Sequence, residues 1–286
     1  MAASTAALRG ITKQYKDFTL GPVDMTVPAG SIVGLIGENG AGKTTLLKIL
    51  CGVNRADDGT VDLLGGSPAD AATRAKIGVV FEDAFFYGTF TAAQVARSLA
   101  GMYGARWNAD SFSAYLRRFG LDAGKKLKEY SRGMRLKLSL AAALAHGPEL
   151  LVLDEATAGL DPVVRGDLLD LFLEFIQDER HSIVMSSHIT ADLEQIADSI
   201  AYLHNGQLLF QENKDDLLQE YGVLHCGEDV LTSLPAGLVV FTRRGVYGCE
   251  SLVRERRTVQ ELLPDAVCDA ASLDDIMRFY SGRDAQ

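Results

Sequence analysis

Residues 31–50 read SIVGLIGENGAGKTTLLKIL, and this stretch decides the fold. The apolar residues 31–36 predict a buried strand, and the pattern from residue 45 onward predicts a helix. Between them lies the glycine-rich GENGAGKTT of residues 37–45. It matches the spacing G-x-x-x-x-G-K-[ST], which is typical of a phosphate-binding loop placed between a strand and a helix. The fixed positions of that pattern are Gly37, Gly42, Lys43 and Thr44.

This loop predicts a nucleoside triphosphate site. Glycines let backbone N–H groups turn toward phosphate oxygens, and a helix N-terminus adds partial positive charge. Lys43 is expected to reach the β- and γ-phosphates, and the Thr44 hydroxyl to ligate Mg²⁺. A glycine-rich turn without a ligand is the alternative, which the flanking strand and helix disfavour. The residues expected to contact the nucleotide here are Gly37, Glu38, Asn39, Gly40, Ala41, Gly42, Lys43, Thr44 and Thr45.

Length and charge restrict the domain organisation, location and partners that the chain can have. A chain of 286 residues is long enough to bury a full core and predicts one large domain, or one and a half. No uncharged apolar run approaches the ~20 residues that cross a bilayer. Residues 1–9 lack an apolar signal segment, so a cytoplasmic location is expected. The net charge of −10 argues against a general binder of nucleic acids or anionic membranes.

The cysteines and one basic run are interpreted as structural features without a binding role. The cysteines include no C-x-x-C pair, so reduced, buried thiols are expected. A metal site of His225 with three of them, Cys226, Cys249 and Cys268, would match no defensible zinc spacing. A basic run between residues 125 and 137 is typical of a solvated face. Its members are Lys125, Lys126, Lys128, Arg132, Arg135 and Lys137.

The pattern along the chain predicts an α/β protein. Residues 150–153 and 183–186 are continuous apolar runs, typical of parallel strands covered on both faces. Antiparallel strands are predicted within residues 8–36, with hairpins at residues 53–64 and 200–210. The expected organisation is a parallel-sheet core with an antiparallel β subdomain, an inserted α-helical subdomain at about residues 83–146, and a small α/β appendix at residues 223–286.

Two carboxylates follow the strand at residues 150–153. A strand that ends in a carboxylate places Asp154 beside the phosphate loop, where it can hold Mg²⁺. The next residue, Glu155, can reach a water in line with the γ-phosphate and act as general base. A strand that ends in an acidic helix cap is the alternative interpretation.

Two further features point to the same chemistry. Ser131 is a good N-cap, and with Gly133 it opens a helix whose N-terminus is a second candidate anion site. His188 follows the strand at residues 183–186. A lone histidine is more often structural, but its place at the nucleotide edge of the sheet favours a functional role.

Taken together, the chain resembles the nucleotide-binding subunit of an ATP-binding cassette (ABC) transporter over about residues 5–220. Five motifs stand in order: Walker A at 37–45, the signature at 131–134, Walker B at 150–155, the D-loop at 158–161 and the switch His188. The resemblance implies a P-loop NTPase with a RecA-like core, residues 1–222 as the cassette domain, and ATP with Mg²⁺ as ligands. It also implies that Tyr15 stacks on adenine, that Ser131 and Gly133 contact phosphate, and that Glu155 and His188 are catalytic.

Two departures from the family pattern indicate a branch. The signature, often L-S-G-G-Q, reads YSRGM at residues 130–134, which keeps Ser131 and Gly133. Glu82 stands where a glutamine is usual, and its carboxylate can still contact Mg²⁺ or water. This combination, with the segment 271–277, resembles the drug-, antibiotic- and lipid-exporter branch.

The resemblance also implies partners. Two copies, or one copy and a homologous ATP-binding subunit, are expected to meet head to tail, attached to the inner face of the cell membrane through a separate transmembrane permease subunit. The candidate docking surface lies near residues 83–128 and includes Phe85, Phe86 and Tyr87, for which core packing is equally open. No nucleic-acid partner is expected. The alternatives are a soluble non-transport ATPase of this fold acting on nucleic acid or ribosomes, and an ATP sensor without hydrolysis.

Overall fold

The structure is a computed structural model that describes residues 4–81, 86–245 and 248–282. Its strands are β1 (Ser4–Gln14), β2 (Thr19–Pro28), β3 (Ile32–Ile36), β4 (Asp58–Leu63), β5 (Ile77–Val80), β6 (Leu150–Asp154), β7 (Ser182–Ser186), β8 (Ser199–His204), β9 (Gln207–Asn213), β10 (Gly222–Cys226), β11 (Val239–Gly245), β12 (Gly248–Val253) and β13 (Val267–Ala270). Its helices are α1 (Lys43–Leu50), α2 (Ala71–Arg74), α3 (Ala92–Tyr103), α4 (Ala109–Arg118), α5 (Arg132–Leu144), α6 (Pro162–Phe175), α7 (Thr190–Ile196), α8 (Lys214–Glu220), α9 (Glu228–Leu231), α10 (Arg256–Leu262) and α11 (Leu273–Ser281).

The centre of the molecule is a six-stranded sheet with the order β5-β6-β7-β3-β8-β9. All neighbours are parallel except β8 and β9, which form the predicted hairpin. Every residue of β3, β6 and β7 is buried. Alternate residues of β3 face opposite layers: Val33 packs in the cluster that contains Leu46 of α1, and Ile32 in the cluster that contains Leu168 of α6. The predicted α/β class with a parallel-sheet core is confirmed.

A second, antiparallel sheet has the order β2-β1-β4. The prediction of a hairpin at residues 53–64 is wrong, because β4 pairs with β1 and not with a strand just before it. The Asp57 carboxylate holds this arrangement by accepting hydrogen bonds from Lys13 Nζ at 2.6 Å and from the Gln14 amide at 2.8 Å. Turn residues mark where the chain bends, but they do not specify which strand becomes the partner.

The helical part between β5 and β6 has a hydrophobic cluster of its own, built by α3, α4 and α5. Helix α5 begins at Arg132, directly after the predicted N-cap Ser131. The reason is the Ser131 side chain, which accepts a hydrogen bond from the Met134 amide at 3.2 Å and caps the helix. Gly133 therefore lies in the first turn of α5.

The C-terminal region forms a four-stranded antiparallel sheet with the order β11-β12-β10-β13. Strand β10 is an inner strand that pairs with both β12 and β13, and the sheet ends in β11 and β13. Helix α11 extends back to the central sheet, where Ile276 and Phe279 share a hydrophobic cluster with Leu193 of α7. The ring of Tyr280 lies edge-on to Tyr202 of β8, with 5.6 Å between centroids. The apolar core therefore continues across the predicted boundary at residue 222.

The four cysteines are free thiols, and Cys51, Cys249 and Cys268 are buried. No group of three or more His, Cys, Asp or Glu side chains in the described ranges is arranged to hold a metal ion. None of the helices in residues 4–81, 86–245 and 248–282 has the length and apolarity needed to cross a bilayer.

His146 joins the helical part to the central sheet. Its ring stacks on Tyr103 at 4.0 Å between centroids, and Nε2 lies 3.0 Å from the carbonyl oxygen of Ile77 in β5. Burial lowers the pKa of His146 below its ordinary value, and the nearby Arg106 guanidinium acts in the same direction. The folded protein therefore favours the neutral ring.

We predict that His146→Gln reduces the acid sensitivity of the fold. The unfolded state takes up a proton near pH ~6.5, whereas the folded state takes it up only at lower pH. Stability contributed by the neutral ring is thus present above that pH and is lost as the pH falls. Denaturant unfolding between pH 8 and 5 should show a smaller loss of unfolding free energy for the variant than for the parent. Equal slopes would contradict the prediction.

Candidate nucleotide site

The phosphate loop connects β3, which ends at Ile36, to α1, which begins at Lys43. Gly37 has φ of 152°, and a Cβ there would lie 2.1 Å from the carbonyl oxygen of Leu203. Gly42, at φ of 106°, is the N-cap of α1. The close contact of Gly37 with β8 and the positive φ angles of both residues require glycine. The backbone amides of the loop directly precede the N-terminus of α1, where a phosphate group can bind.

Lys43 folds back across this loop. Its Nζ donates to the carbonyl oxygens of Gly37 at 2.6 Å and Glu38 at 3.1 Å, and it lies 3.8 Å from Glu155 Oε1. Burial lowers the pKa of the Lys43 ammonium, while the carboxylates of Glu155 and Asp154 act in the opposite direction. A phosphate group entering the loop would supply further negative charge and would stabilise the ammonium form.

Asp154, at the C-terminal end of β6, is 3% exposed and joins the phosphate loop to β7. The Thr44 hydroxyl donates to its Oδ2 at 2.8 Å, and the Ser186 hydroxyl donates to its Oδ1 at 2.6 Å. A hydroxyl and a carboxylate in contact below the phosphate loop are an oxygen donor set that fits Mg²⁺. Thr44 and Asp154 would hold the ion. Glu82, the third predicted ligand, lies outside the described residues.

Glu155 and His188 meet at the same edge of the sheet. Glu155 Oε2 lies 2.5 Å from His188 Nδ1 and accepts from the His188 amide at 3.3 Å. Glu155 has φ of 53°, which is uncommon for a residue with a side chain. Its amide donates to the carbonyl oxygen of Ser186 at 3.1 Å, and this bond holds the strained backbone in place. The turn directs the carboxylate toward both His188 and Lys43.

Lys43, Thr44 and Glu155 border a surface pocket of about 460 Å³. Tyr15 stands at its wall, 42% exposed, and its hydroxyl accepts from Asn54 Nδ2 at 3.4 Å. An exposed aromatic ring beside a phosphate loop leaves a face free for a flat base to stack on. The pocket is lined by Tyr15, Phe18, Glu38, Asn39, Gly40, Gly42, Lys43, Thr44, Thr45, Lys48, Asn54 and Glu155.

The signature residues lie elsewhere. Ser131 and Gly133 line a separate pocket of about 320 Å³ together with Gly159 and Leu160. A Cβ at Gly133 would lie 3.3 Å from the Leu160 side chain, so the D-loop packs directly on the first turn of α5. Within the described part of the chain, residues 131–134 do not line the 460 Å³ pocket.

Sequence reasoning missed four contributors to the site: Phe18, Lys48, Asn54 and Ser186. Phe18 and Asn54 line the pocket from loops that carry no motif. Ser186 is opposite Asp154 in the parallel register of β6 and β7. In the sequence, the one signal for Ser186 is its position at the C-terminal end of a strand. The strand order is needed to place it beside Asp154.

The fold and the site define a P-loop nucleoside triphosphatase domain. Comparison with known proteins narrows this class. The family model described as ABC transporter matches residues 20–158. A solved structure of the ATP-binding subunit of an ABC transporter superposes with a TM-score of 0.67 at 28% identity, over 75% of this chain and 92% of that chain.

Proteins of similar sequence point to the same family. The bacitracin transport ATP-binding protein BcrA of Enterococcus faecalis is 35% identical over 212 residues, which cover 72% of this chain and 68% of that protein. An uncharacterised ABC transporter ATP-binding protein of Synechocystis is 38% identical over 206 residues. That match covers 70% of this chain but only 58% of the relative, so the chain spans less than two thirds of that protein.

This chain belongs to the ABC transporter family as an ATP-binding protein. It is an ABC ATPase domain, and ATP with Mg²⁺ is the ligand of its site. The predicted resemblance, which rested on five motifs, is confirmed, as is the similarity to an antibiotic-transport branch.

We predict that Ser186→Ala weakens metal binding. The serine hydroxyl orients Asp154 at 2.6 Å, and losing the partner of a metal-ligating carboxylate typically lowers metal affinity about 10-fold or more. Titration of ATPase activity with Mg²⁺ should give a higher half-saturation concentration. Ser182→Ala is the matched control, because Ser182 is equally buried at the opposite end of β7 and bonds Thr5 Oγ1. An unchanged Mg²⁺ requirement in Ser186→Ala would contradict this role.

Proposed function

We propose that this chain is the ATP-hydrolysing subunit of a transporter, in which two ATP-binding subunits close head to tail on ATP and drive a separate membrane subunit. The observation that carries the proposal is the cluster of Lys43, Asp154, Glu155 and His188 at one edge of the parallel sheet, around the phosphate loop. Such a set of one cation, two carboxylates and one imidazole matches what hydrolysis of a phosphoanhydride requires.

In this proposal each side chain has a role that fits its position. Lys43 would bind the β- and γ-phosphates in place of the carbonyls that it contacts here. Glu155 would take a proton from the attacking water while the water oxygen bonds to the γ-phosphorus. The bond between the γ-phosphorus and the oxygen that bridges it to the β-phosphate breaks in the same step. His188 would hold Glu155 and the γ-phosphate in line. Mg²⁺, when bound to Thr44 and Asp154, would neutralise the charge that develops on the phosphates.

Incompleteness of the single-chain site supports the head-to-tail dimer. The phosphate pocket is open on the surface, and the helix N-terminus at Ser131 lines a different pocket of the same chain. A second copy, or a homologous subunit, placed head to tail would bring its own Ser131 and Gly133 to the ATP held by the first. ATP would then lie between the subunits, and its hydrolysis would release them.

The family supports a membrane partner and a class of cargo for this proposal. The described chain has no membrane-crossing helix, so a transmembrane permease subunit would carry the transport path. Tyr87, 78% exposed on the helical part and in contact with Phe90, is a candidate docking residue, while Phe86 packs partly into the core. Phe85 lies outside the described residues. The similarity to the bacitracin transport protein favours export of a drug, a peptide antibiotic or a lipid-like molecule.

A soluble ATPase that acts on nucleic acid or ribosomes is the competing function. The acidic balance of 38 Asp and Glu against 28 Lys and Arg disfavours a polyanionic partner. The intact Asp154, Glu155 and His188 geometry disfavours a sensor that binds ATP without hydrolysis.

We predict that Glu155→Gln retains ATP binding, abolishes turnover and accumulates an ATP-dependent dimer, because the general base is lost while the phosphate loop is intact. Size-exclusion chromatography with and without Mg·ATP, and phosphate release, would measure both effects. Lys43→Ala should lose binding and turnover together. Glu149→Gln, which removes a half-exposed partner of Lys76 just before β6, is the control and should behave like the parent. Undiminished hydrolysis by Glu155→Gln would remove Glu155 from this role.

We predict that the tagged chain, extracted from native membranes in mild detergent, co-purifies with a multi-span membrane protein in equal copies. Quantitative mass spectrometry of the eluate measures the ratio. Recovery with ribosomes, or alone in the soluble fraction, would favour the non-transport ATPase.

A further inference from the structure

Helices α6 and α7 are joined by a partly buried ion pair that no motif includes. Arg165 Nε of α6 donates to Asp192 Oδ1 of α7 in a very short hydrogen bond. The Asp192 side chain is 1% exposed, whereas that of Arg165 is 29% exposed. The second oxygen of Asp192 is buried and accepts no hydrogen bond from any side chain or amide in the described residues. Arg165 is thus the cation that compensates a carboxylate kept out of water.

Each partner is attached to one of the loops that form the site. The loop that starts at Glu155 ends at Asp161, whose carboxylate caps α6 by accepting from Val164 at 3.0 Å. Arg165 follows in the first turn, with its amide bonded to the Asp161 carbonyl at 3.0 Å. On the other side, α7 begins at Thr190, and the Asp192 amide bonds the Ile189 carbonyl at 3.2 Å.

The connection from Asp192 back to His188 is short and bonded. Between β7 and α7 there are only residues 187–189. Ser187 Oγ accepts from the Ile189 amide at 2.9 Å and so fixes the turn. A shift of α7 relative to α6 would therefore be transmitted to His188 through this three-residue connection.

We propose that Arg165 and Asp192 are positioning residues that hold His188 against Glu155. The two loops are joined twice: at the site by the Glu155–His188 contact, and behind it by the Arg165–Asp192 pair. The pair touches neither the phosphate loop nor the pocket wall, so it acts on the catalytic geometry and leaves nucleotide binding alone. This inference rests on the proposed catalytic roles of Glu155 and His188.

The test uses steady-state ATPase kinetics of the full chain with Mg·ATP. Asp192→Asn and Arg165→Gln are each expected to lower kcat about 10-fold, because a small misplacement of a reacting group costs up to about 100-fold. The KM for ATP should stay within about twofold, since the binding residues are untouched. Arg165→Lys, which keeps the charge, should recover part of kcat. The double variant should be no slower than the slower single variant, as expected for one interacting pair.

Two controls separate positioning from general weakening of the fold. Glu174→Gln breaks the two-bond contact with Arg118 at the far end of the same helix α6 and should leave kcat unchanged. Ile196→Val removes a buried methylene at the end of α7 and should lower the melting temperature without lowering kcat. Hydrogen exchange of residues 186–193 should become faster in Asp192→Asn and remain unchanged in Glu174→Gln.

The outcomes are distinct. Unchanged kcat in folded Asp192→Asn and Arg165→Gln, with hydrolysis lost in Glu155→Gln, would overturn the positioning role and leave the proposed function standing. If kcat falls as much in Ile196→Val as in the Arg165 and Asp192 variants, the ion pair is a structural contact and not a positioning device. Undiminished hydrolysis in Glu155→Gln would instead remove the proposed function. If Asp192→Asn does not fold, the Arg165 variants decide the question, because that side chain reaches solvent.

Discussion

The site depends on one buried carboxylate. Asp154 accepts from Thr44 at the start of α1 and from Ser186 at the end of β7, and it lies at the end of β6. These two hydrogen bonds join helix α1 and strand β7 to the carboxylate at the end of β6. A carboxylate that is 3% exposed is costly to bury unless it is paired, so the contacts also restrict how the strands can end. The phosphate loop and the catalytic candidates are positioned relative to that charge.

The constraint extends beyond the pocket through the backbone of Glu155. Its positive φ turns the chain sharply after β6, and Ser186 holds that turn from β7. The helix α7 that follows His188 is contacted on one side by α6. On its other side the Glu194 carboxylate accepts from the Leu273 amide at 2.7 Å, at the start of α11. The C-terminal region is thereby physically continuous with the helix behind His188.

Much of the fold was predictable, because local chemistry specifies it. Glycines at 37 and 42, continuous apolar runs at β6 and β7, and the Asn205-Gly206 turn each have one common structural meaning. The pairing of β4 was not predictable in the same way, because its partner is β1, more than forty residues earlier in the chain. Strands β10 and β13 also depended on pairing with strands far away in sequence, whereas the Ser131 cap of α5 was readable from the sequence.

The amino-acid sequence by itself determined the phosphate loop, the two carboxylates after β6, the switch histidine and the family, since these depend on residue type and short spacing. The tertiary structure decided which groups meet. It placed Ser186 beside Asp154 through strand register, separated Ser131 from the phosphate pocket, and paired Arg165 with Asp192 across two helices. Contacts between residues distant along the chain depend on packing and register, which short patterns do not encode.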